Sequence, residues 1–114
     1  MTDETKSKSE QIAALNDAFR QSFEGGKVVT TRGIAALPGE DYFLILADVS
    51  AFNDFTEEND PSGHHDFGAF DFEGVGKIFW KIDYYAPNMV HGSEDPTDPE
   101  QTVRVLTIML SQEY

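Results

Sequence analysis

The order of apolar and polar positions predicts that the chain opens with an amphipathic helix. Four apolar side chains follow one another at steps of three or four residues, as they do on one face of an α-helix: Ile12, Leu15, Phe19 and Phe23. The tetrapeptide SKSE just before them has the form of a capping box. The pair Gly25–Gly26 ends helices readily, because glycine tolerates the left-handed conformation. We therefore predict a helix over residues 8–24, preceded by a flexible tail of residues 1–7.

The next segments change to a strand and then to a second helix. Lys27–Thr31 is rich in β-branched residues and predicts a strand, with a break at Gly33. Pro38 suits the first turn of a helix, and the two acids that follow it favour the positive end of the helix dipole. The apolar positions of this helix cover more than one face: Tyr42, Ile45, Leu46 and Val49, widened by Phe43, Leu44 and Ala47. This width predicts a well-buried helix that ends near Phe52.

Strict alternation indicates β-structure in the second half of the chain. In KIFWKIDYY, residues 77–85, every second side chain points the same way, and residues 67–72 precede it across the turn Gly74–Val75–Gly76. This pair of segments predicts a β-hairpin. The closing segment, residues 102–110, has helical spacing at Val103, Leu106 and Leu110, but it alternates cleanly and is rich in Val, Thr and Ile. We therefore predict a third such strand there.

Together these elements predict an α+β fold. The expected architecture is a small single domain over residues 8–114, with an antiparallel sheet of about four strands and two helices packed on one face. Two loops rich in turn residues and carboxylates interrupt the elements. We name them the first acidic loop, residues 53–66, and the second acidic loop, residues 86–100, and we expect a helical turn in the latter from Pro99.

Composition places the chain among soluble globular domains. Its 114 residues fit one domain, and 39% hydrophobic with 12% aromatic residues argues against disorder. There is no cysteine, which excludes disulfides, thiolate catalysis and cysteine-ligated zinc. No run approaches the roughly 18 apolar residues of a membrane span, and the polar first residues lack the apolar run of a signal peptide. We expect a cytoplasmic protein.

Negative charge is the dominant global property. Eight Lys and Arg face 21 Asp and Glu, which gives a net charge of −13. No Lys or Arg occurs between Arg32 and Lys77 or between Lys81 and Arg104, whereas acids are frequent in both intervals. Such a field repels nucleic acid and anionic membranes and attracts cations or basic proteins. We therefore expect a basic protein as partner, with no direct binding of nucleic acid and no membrane association.

A metal site is the first chemical hypothesis. Oxygen ligands alternate from Asp54 as in a calcium loop, but the glycine and glutamate that an EF-hand needs are replaced by Asn59 and His65. His64 and Asp66 share one side of an extended segment. Adding His91 from the second acidic loop would complete a set of two histidines and one carboxylate, of the kind that binds iron or zinc. No other cofactor is indicated.

Catalytic motifs are absent from the sequence, which favours a protein that is not an enzyme. Ser62 lies close to His64, but no nucleophile elbow of the form GxSxG accompanies them. Gly25–Gly26 lacks the Lys-Ser or Lys-Thr that completes a phosphate-binding loop. The aromatic side chains predict a core between sheet and helices rather than a base-stacking platform, which would need nearby Lys and Arg. These are Phe52, Phe55, Phe67, Phe70, Phe72, Phe79 and Trp80.

The acidic surface is the second chemical hypothesis. Carboxylates presented at a density comparable to DNA phosphates can occupy the basic groove of a protein that handles nucleic acid. Such recognition is fast, salt-sensitive and independent of any catalytic residue. If both acidic loops lie at one end of the sheet, the partner-binding residues are Asp54, Glu57, Glu58, Asp60, Glu94, Asp95 and Asp98.

Four segments resemble a known family over about residues 10–114: TRGIAALP, FNDFTEENDPSGHHDFGAF, KIFWKIDYY and DPTDPEQTVRVLTIMLSQEY. The sequence is similar to the bacterial family called domain of unknown function 3768. The resemblance implies a small cytoplasmic protein encoded near plasmid or other mobile-element genes, with no established activity or site residues. That context suggests an anti-restriction or anti-CRISPR inhibitor that acts by nucleic-acid mimicry. The alternative is a metal-binding protein or small metal-dependent enzyme that uses the His64–His65–Asp66 segment.

Overall fold

A computed structural model of the protein describes residues 6–114. Its elements are α1 (Lys8–Ser22), β1 (Gly26–Thr30), α2 (Arg32–Ala35), α3 (Gly39–Ala51), β2 (Phe67–Phe72), β3 (Gly76–Tyr85), β4 (Val103–Leu110) and a closing 3₁₀ turn (Ser111–Glu113). The α+β class, the hairpin and the closing strand are confirmed. Of the predicted tail, residues 1–5 lie outside the described residues, and Ser7 is the N-cap of α1.

The first helix begins as its sequence predicts and ends slightly earlier. Ser7 Oγ accepts the Glu10 amide at 3.1 Å, and Glu10 Oε1 accepts the Ser7 amide at 3.0 Å, which is the complete capping box. The helix ends at Ser22 rather than at residue 24. Phe23 itself adopts the left-handed conformation (φ 60°) and donates its amide to Phe19 O, so the glycines that follow are not needed to stop the helix.

The four strands form one mixed sheet in the order β1-β4-β3-β2. The β2/β3 and β3/β4 pairs are antiparallel, as predicted, but β1 and β4 are parallel. The closing strand enters the middle of the sheet instead of adding to an edge. It runs opposite to β3, and this direction is the same as that of β1, the strand on its other side.

One face of the sheet and the helices enclose the core. Its fully or almost fully buried members are Phe19, Ile34, Ile45, Val49, Ile78, Trp80, Ile82, Leu106 and Ile108. Trp80 lies at the centre, with Phe52 packed edge-on at 5.5 Å. Phe67 and Phe79 were predicted for this core and are not part of it. They lie on the opposite face of the sheet, where both rings pack against Tyr114, because alternation along β3 puts Phe79 opposite to Trp80.

The middle helices differ from the prediction. A short helix, α2, follows β1 directly and includes Gly33, where the sequence predicted a break. A Cβ at this glycine would lie 2.5 Å from Leu110 Cδ1, so the close approach explains the residue. The prediction of a well-buried α3 is wrong: Ile45 and Val49 are buried, but Phe43 is 68% and Leu44 49% exposed. The helix meets the sheet on one side only, and in the described residues no second layer covers its other side.

The closing turn fastens the end of the chain to α2. The Glu113 carboxylate accepts hydrogen bonds from the Thr31 hydroxyl and from the amides of Gly33 (2.8 Å) and Leu110 (2.9 Å). These donors, the Thr31 hydroxyl first, hold the pKa of Glu113 below its ordinary value. None of the helices in residues 6–114 is long and apolar enough to cross a membrane.

Candidate partner-binding surface

The two acidic loops lie at the same end of the sheet. The first acidic loop leads into β2, whose Phe67 pairs with Lys81 of β3, and Asp66 O accepts the Ile82 amide at 2.9 Å. The second acidic loop connects the end of β3 to the start of β4, where Tyr85 pairs with Val103. The hairpin turn between β2 and β3 therefore lies at the far end. The two acidic loops therefore lie at one end of the sheet, which is the condition for a single docking face that includes both of them.

A buried asparagine of α1 joins the two loops. The Asn16 amide nitrogen donates to His64 O at 2.9 Å and to Tyr84 Oη at 2.8 Å, and its oxygen accepts Arg104 Nε at 2.6 Å. Arg104 Nη2 in turn donates to Pro96 O at 2.6 Å. Asn16 is fully buried, so its side chain depends on these bonds, because an unpaired polar group away from water is costly. We name these contacts the Asn16 network.

The Arg104 guanidinium and the Tyr84 phenol pack against each other within the Asn16 network. The Arg104 guanidinium lies 5.2 Å over the Tyr84 ring, and burial lowers the pKa of Arg104. Burial also raises the pKa of Tyr84 far above its ordinary value, and the nearby Asp66 carboxylate adds to this shift. Tyr84 is therefore a neutral donor to Asp66, at 3.0 Å, and it fixes the point where the first acidic loop enters β2.

Uncharged side chains organise the tip of the first acidic loop. The Thr56 amide donates to Asn59 Oδ1 at 2.8 Å, and the Asn59 amide donates to Thr56 Oγ1 at 3.2 Å. Asn59 Nδ2 also donates to Asp54 O at 2.9 Å. These reciprocal bonds close a single turn whose intervening residues, Glu57 and Glu58, are exposed. Their carboxylates take no part in holding the turn.

The base of the same loop is fixed by a chain of charged side chains from α1. Arg20, 1% exposed, donates to Val49 O and Phe52 O and pairs with Asp17 at 3.0 Å. Asp17 also contacts His65 Nδ1 at 3.0 Å. His65 stacks on the Phe55 ring at 3.9 Å and takes a left-handed backbone conformation (φ 57°).

Asp60 completes this anchoring at the other side of the imidazole. Its carboxylate accepts the His65 amide at 3.3 Å and lies 3.7 Å from His65 Nε2, with only 6% of its side chain exposed. His65 therefore lies between two carboxylates, those of Asp17 and Asp60. Asp60 was predicted to bind a partner, but it is committed to the interior of the loop.

The predicted metal ligands are brought together only in part. His64 Nδ1 lies 3.8 Å from Asp66 Oδ2, as the shared side of an extended segment suggests. His91 is exposed in the second acidic loop and does not complete the set. Over residues 6–114, no group of three His, Asp or Glu side chains is arranged to hold a metal ion.

The second acidic loop uses two of its four carboxylates, those of Asp95 and Asp98, for internal hydrogen bonds. Asp95 accepts from the Thr97 amide at 3.1 Å and from the Thr97 hydroxyl at 2.6 Å, and these bonds lower the pKa of Asp95. Asp98 accepts from the Glu100 amide and from Gln101 Nε2, both at 2.9 Å. Backbone bonds close two successive turns here, where the sequence predicted a helical turn at Pro99. Glu94 is exposed.

The predicted partner-binding residues thus divide into two groups. Asp60, Asp95 and Asp98 shape their loops through hydrogen bonds to neighbouring residues. Asp54, Glu57, Glu58 and Glu94 have exposed side chains. These four carboxylates form the candidate surface, which we name the acidic end. Beside it, an open cleft of about 310 Å³ is lined by Phe55, Thr56, Glu57, Asp60, Pro61, Ser62, Gly63 and His65.

Sequence reasoning missed the residues that assemble this surface. Asn16 occupies a polar position on the apolar side of a predicted helix, one residue after Leu15 and three before Phe19. Arg20 follows Phe19, and Arg104 interrupts an apolar strand on the side that faces the core. A polar side chain at a position that the pattern assigns to the core is the signal that could have identified all three, because buried polar groups require partners.

The chain belongs to the family described as protein of unknown function (DUF3768), which matches residues 30–113. The match takes in α2 through the closing turn, including both acidic loops, and leaves α1 and all of β1 but Thr30 outside it. No curated protein and no solved structure matches the chain.

Proposed function

We propose that this protein is an acidic interaction module that binds and inhibits a basic protein that handles nucleic acid. The observation that supports the proposal is the exposure of Asp54, Glu57, Glu58 and Glu94 at one end of the sheet. Both loops that carry them accept hydrogen bonds from the Asn16 network. A partner would therefore meet carboxylates whose backbone is already ordered, which lowers the entropic cost of binding.

The charge balance supports a basic target. The net charge is −13, and no Lys or Arg separates the carboxylates of the first acidic loop. Duplex DNA presents one negative charge per roughly 1.7 Å of its axis, and enzymes that grip it do so with Lys and Arg. A compact acidic surface competes for the same groups. The enzymes of restriction and CRISPR defence are cytoplasmic proteins of this kind, and we propose that the protein acts on one of them.

The test is affinity capture with a pair of charge-matched variants. The protein is immobilised, exposed to lysate of its source organism and eluted with a salt gradient, and captured proteins are identified by mass spectrometry. The first variant is Glu57→Gln/Glu58→Gln at the acidic end. The control is Asp71→Asn/Glu73→Gln, which removes the same charge at the exposed hairpin turn at the far end of the sheet.

The proposal predicts a basic nucleic-acid-binding protein that elutes at moderate salt. Glu57→Gln/Glu58→Gln should reduce its capture at least tenfold, while the control should change it less than threefold. The reason is that salt screens the attraction between the partner and charges that lie more than a Debye length from it. Added protein should also displace labelled nucleic acid from the captured partner. Equal loss with both variants would reduce the effect to net charge and contradict a specific acidic end.

The metal-binding alternative stays a prediction with a direct test. His64 and Asp66 supply two neighbouring groups at 3.8 Å, and a further ligand would have to come from outside residues 6–114 or from a partner. Elemental analysis of the purified protein, with His64→Ala as comparison, decides it. Stoichiometric zinc or iron that disappears in the variant would favour this alternative over the acidic module.

A further inference from the structure

Helix α3 carries a second apolar stripe that faces away from the core. Ile45 and Val49 are fully buried, whereas Phe43 is 68% and Leu44 49% exposed. Ala47 and Ala51 are exposed as well. From one to the next, these four positions are separated by one, three and four residues, and this spacing places them on one face of the helix. We name this face the outer stripe.

The shape of the outer stripe suits a second helix. It extends over residues 43–51 of α3, or about 12 Å at 1.5 Å per residue, which is long enough to seat two turns of a partner helix. Phe43 and Leu44 form a raised apolar end, and Phe43 is supported by an edge-on contact with Tyr42 at 5.3 Å. Ala47 and Ala51 are small, so a partner backbone can approach closely along the rest of the stripe.

Acids border the outer stripe. Glu40 lies one helical turn before Phe43 and Leu44, and Asp48 lies one turn after Leu44 and one turn before Ala51. Both side chains are exposed. There is no Lys or Arg in α3, nor anywhere between Arg32 and Lys77. An apolar strip within an acidic border matches a segment with apolar anchors and flanking Lys or Arg.

The same border argues against the two other occupants of an apolar face. In a symmetric dimer, Glu40 and Asp48 of one copy would meet the same residues of the other, and two chains of −13 would be joined without a compensating cation at the stripe. An anionic membrane surface would be repelled for the same reason. A basic partner helix gains from both the apolar contact and the charge.

We propose that the outer stripe of α3 is a docking site for a basic amphipathic helix of the partner protein. The inference rests on the proposed function, because the helix belongs to the same basic partner. Its apolar contacts with the outer stripe would add affinity that salt does not remove. The stripe ends at Ala51, and Asp54 of the acidic end follows three residues later. The two surfaces are thus consecutive in the chain, so one partner can contact apolar anchors on α3 and carboxylates beyond it.

The test uses a defined probe, a fluorescent synthetic helix of Leu and Lys with Leu on one face and Lys beside it. Two further peptides replace all Lys by Glu or all Leu by Ser. Binding to the full chain is measured by anisotropy at low and high salt. The variants are Phe43→Ala/Leu44→Ala and, independently, Ala47→Arg, which repels the probe without removing an apolar contact. The control is Val90→Ala, which trims a 74% exposed apolar side chain in the second acidic loop.

The proposal predicts that the Leu-Lys peptide binds best and that both α3 variants weaken it about tenfold or more, as expected for the loss of central apolar anchors. Val90→Ala should change the affinity less than twofold. The difference in peptide affinity between wild type and Phe43→Ala/Leu44→Ala should persist at high salt, because salt does not screen apolar contacts. Since these side chains are exposed, all variants should keep the wild-type melting temperature within a few degrees.

Three results would overturn the proposal. Equal binding of wild type and α3 variants would place the peptide elsewhere, and tight binding of the Glu peptide would contradict the charge argument. A wild-type dimer in sedimentation analysis that Phe43→Ala/Leu44→Ala dissociates would assign the stripe to a second copy of this chain. Failure of the proposed function is a separate result: Glu57→Gln/Glu58→Gln would then capture the partner as well as wild type does, whatever the α3 variants do to peptide affinity.

Discussion

The two acidic loops lie side by side at one end of the sheet, yet they use their carboxylates in opposite ways. In the first acidic loop, Thr56 and Asn59 close the turn, and Glu57 and Glu58 are exposed. In the second, Asp95 and Asp98 close the turns themselves. The comparison shows that the charge a loop offers to a partner depends on which side chains satisfy its backbone. The number of acids in a loop does not by itself determine that charge.

The loops also differ in how they are attached to the domain. The first acidic loop is anchored twice, by the Asn16 network at His64 and by the Asp17 and Asp60 carboxylates around His65. The second acidic loop receives bonds from Arg104 at Pro96 and from Thr102 at Ser93 and Asp95. The first loop is thus held by side chains of α1, and the second by residues at the start of β4. Amide hydrogen exchange measures how often each of them opens.

The largest loss of stability should come from Asn16→Ala, which breaks the Asn16 network that joins the two acidic loops. The change leaves Arg104 Nε, Tyr84 Oη and His64 O without their buried partner, so the free energy of unfolding should fall by about 3 kcal/mol. Urea denaturation measures it. The control is Asn59→Ala, which removes two side-chain hydrogen bonds at an exposed position and should cost about 1 kcal/mol. Equal costs would contradict the central place of the Asn16 network.

A smaller effect, confined to the first acidic loop, is expected for Asp60→Asn. Its carboxylate is almost fully buried beside His65, so losing the charge should lower the unfolding free energy by about 1–2 kcal/mol and speed amide exchange in residues 56–65. Glu58→Gln is the exposed counterpart and should change stability by less than about 0.5 kcal/mol. If the two variants behave alike, Asp60 belongs with the exposed carboxylates after all.

The smallest effect concerns the second acidic loop and appears only in acid. The Thr97 hydroxyl and amide lower the pKa of Asp95. A carboxyl whose folded pKa lies below its unfolded value contributes stability above the unfolded pKa, and this contribution is lost as the pH falls through the folded pKa. The protection of the Thr97 amide, which is its exchange rate relative to the intrinsic rate at the same pH, should therefore fall below about pH 3.9, the ordinary aspartate pKa. In Asp95→Asn this fall should disappear, and its persistence would assign the change to another group.

Local pattern predicted most of the elements, because helix spacing, strand alternation and the SKSE cap are encoded within a few residues. Local pattern could not predict the parallel β1/β4 pair. Strand order depends on contacts between residues that are distant in the chain, such as Val28 and Leu106. The exposed side of α3 was missed for a related reason. An apolar pattern shows that Phe43 and Leu44 can be buried, and only the number of layers around the helix decides whether they are.

The sequence left open whether the two acidic loops lie at one end of the sheet, and the strand pairing places them there. The acids of the two loops were identified from their density. Which of them remain free depends on hydrogen bonds such as those between Thr56 and Asn59. Such bonds have no periodic signature. His65 illustrates the same limit, because its partner Asp17 lies on α1, far away in sequence.

The most direct test of the account is the affinity of the captured partner for wild type, Glu57→Gln/Glu58→Gln and Asp71→Asn/Glu73→Gln, measured by calorimetry at two salt concentrations. The account predicts that the first variant loses at least tenfold in affinity and most of the salt dependence, while the second stays close to wild type. Indistinguishable affinities for the two variants would contradict it, because the free carboxylates of the first acidic loop would then be no more than part of a diffuse negative charge.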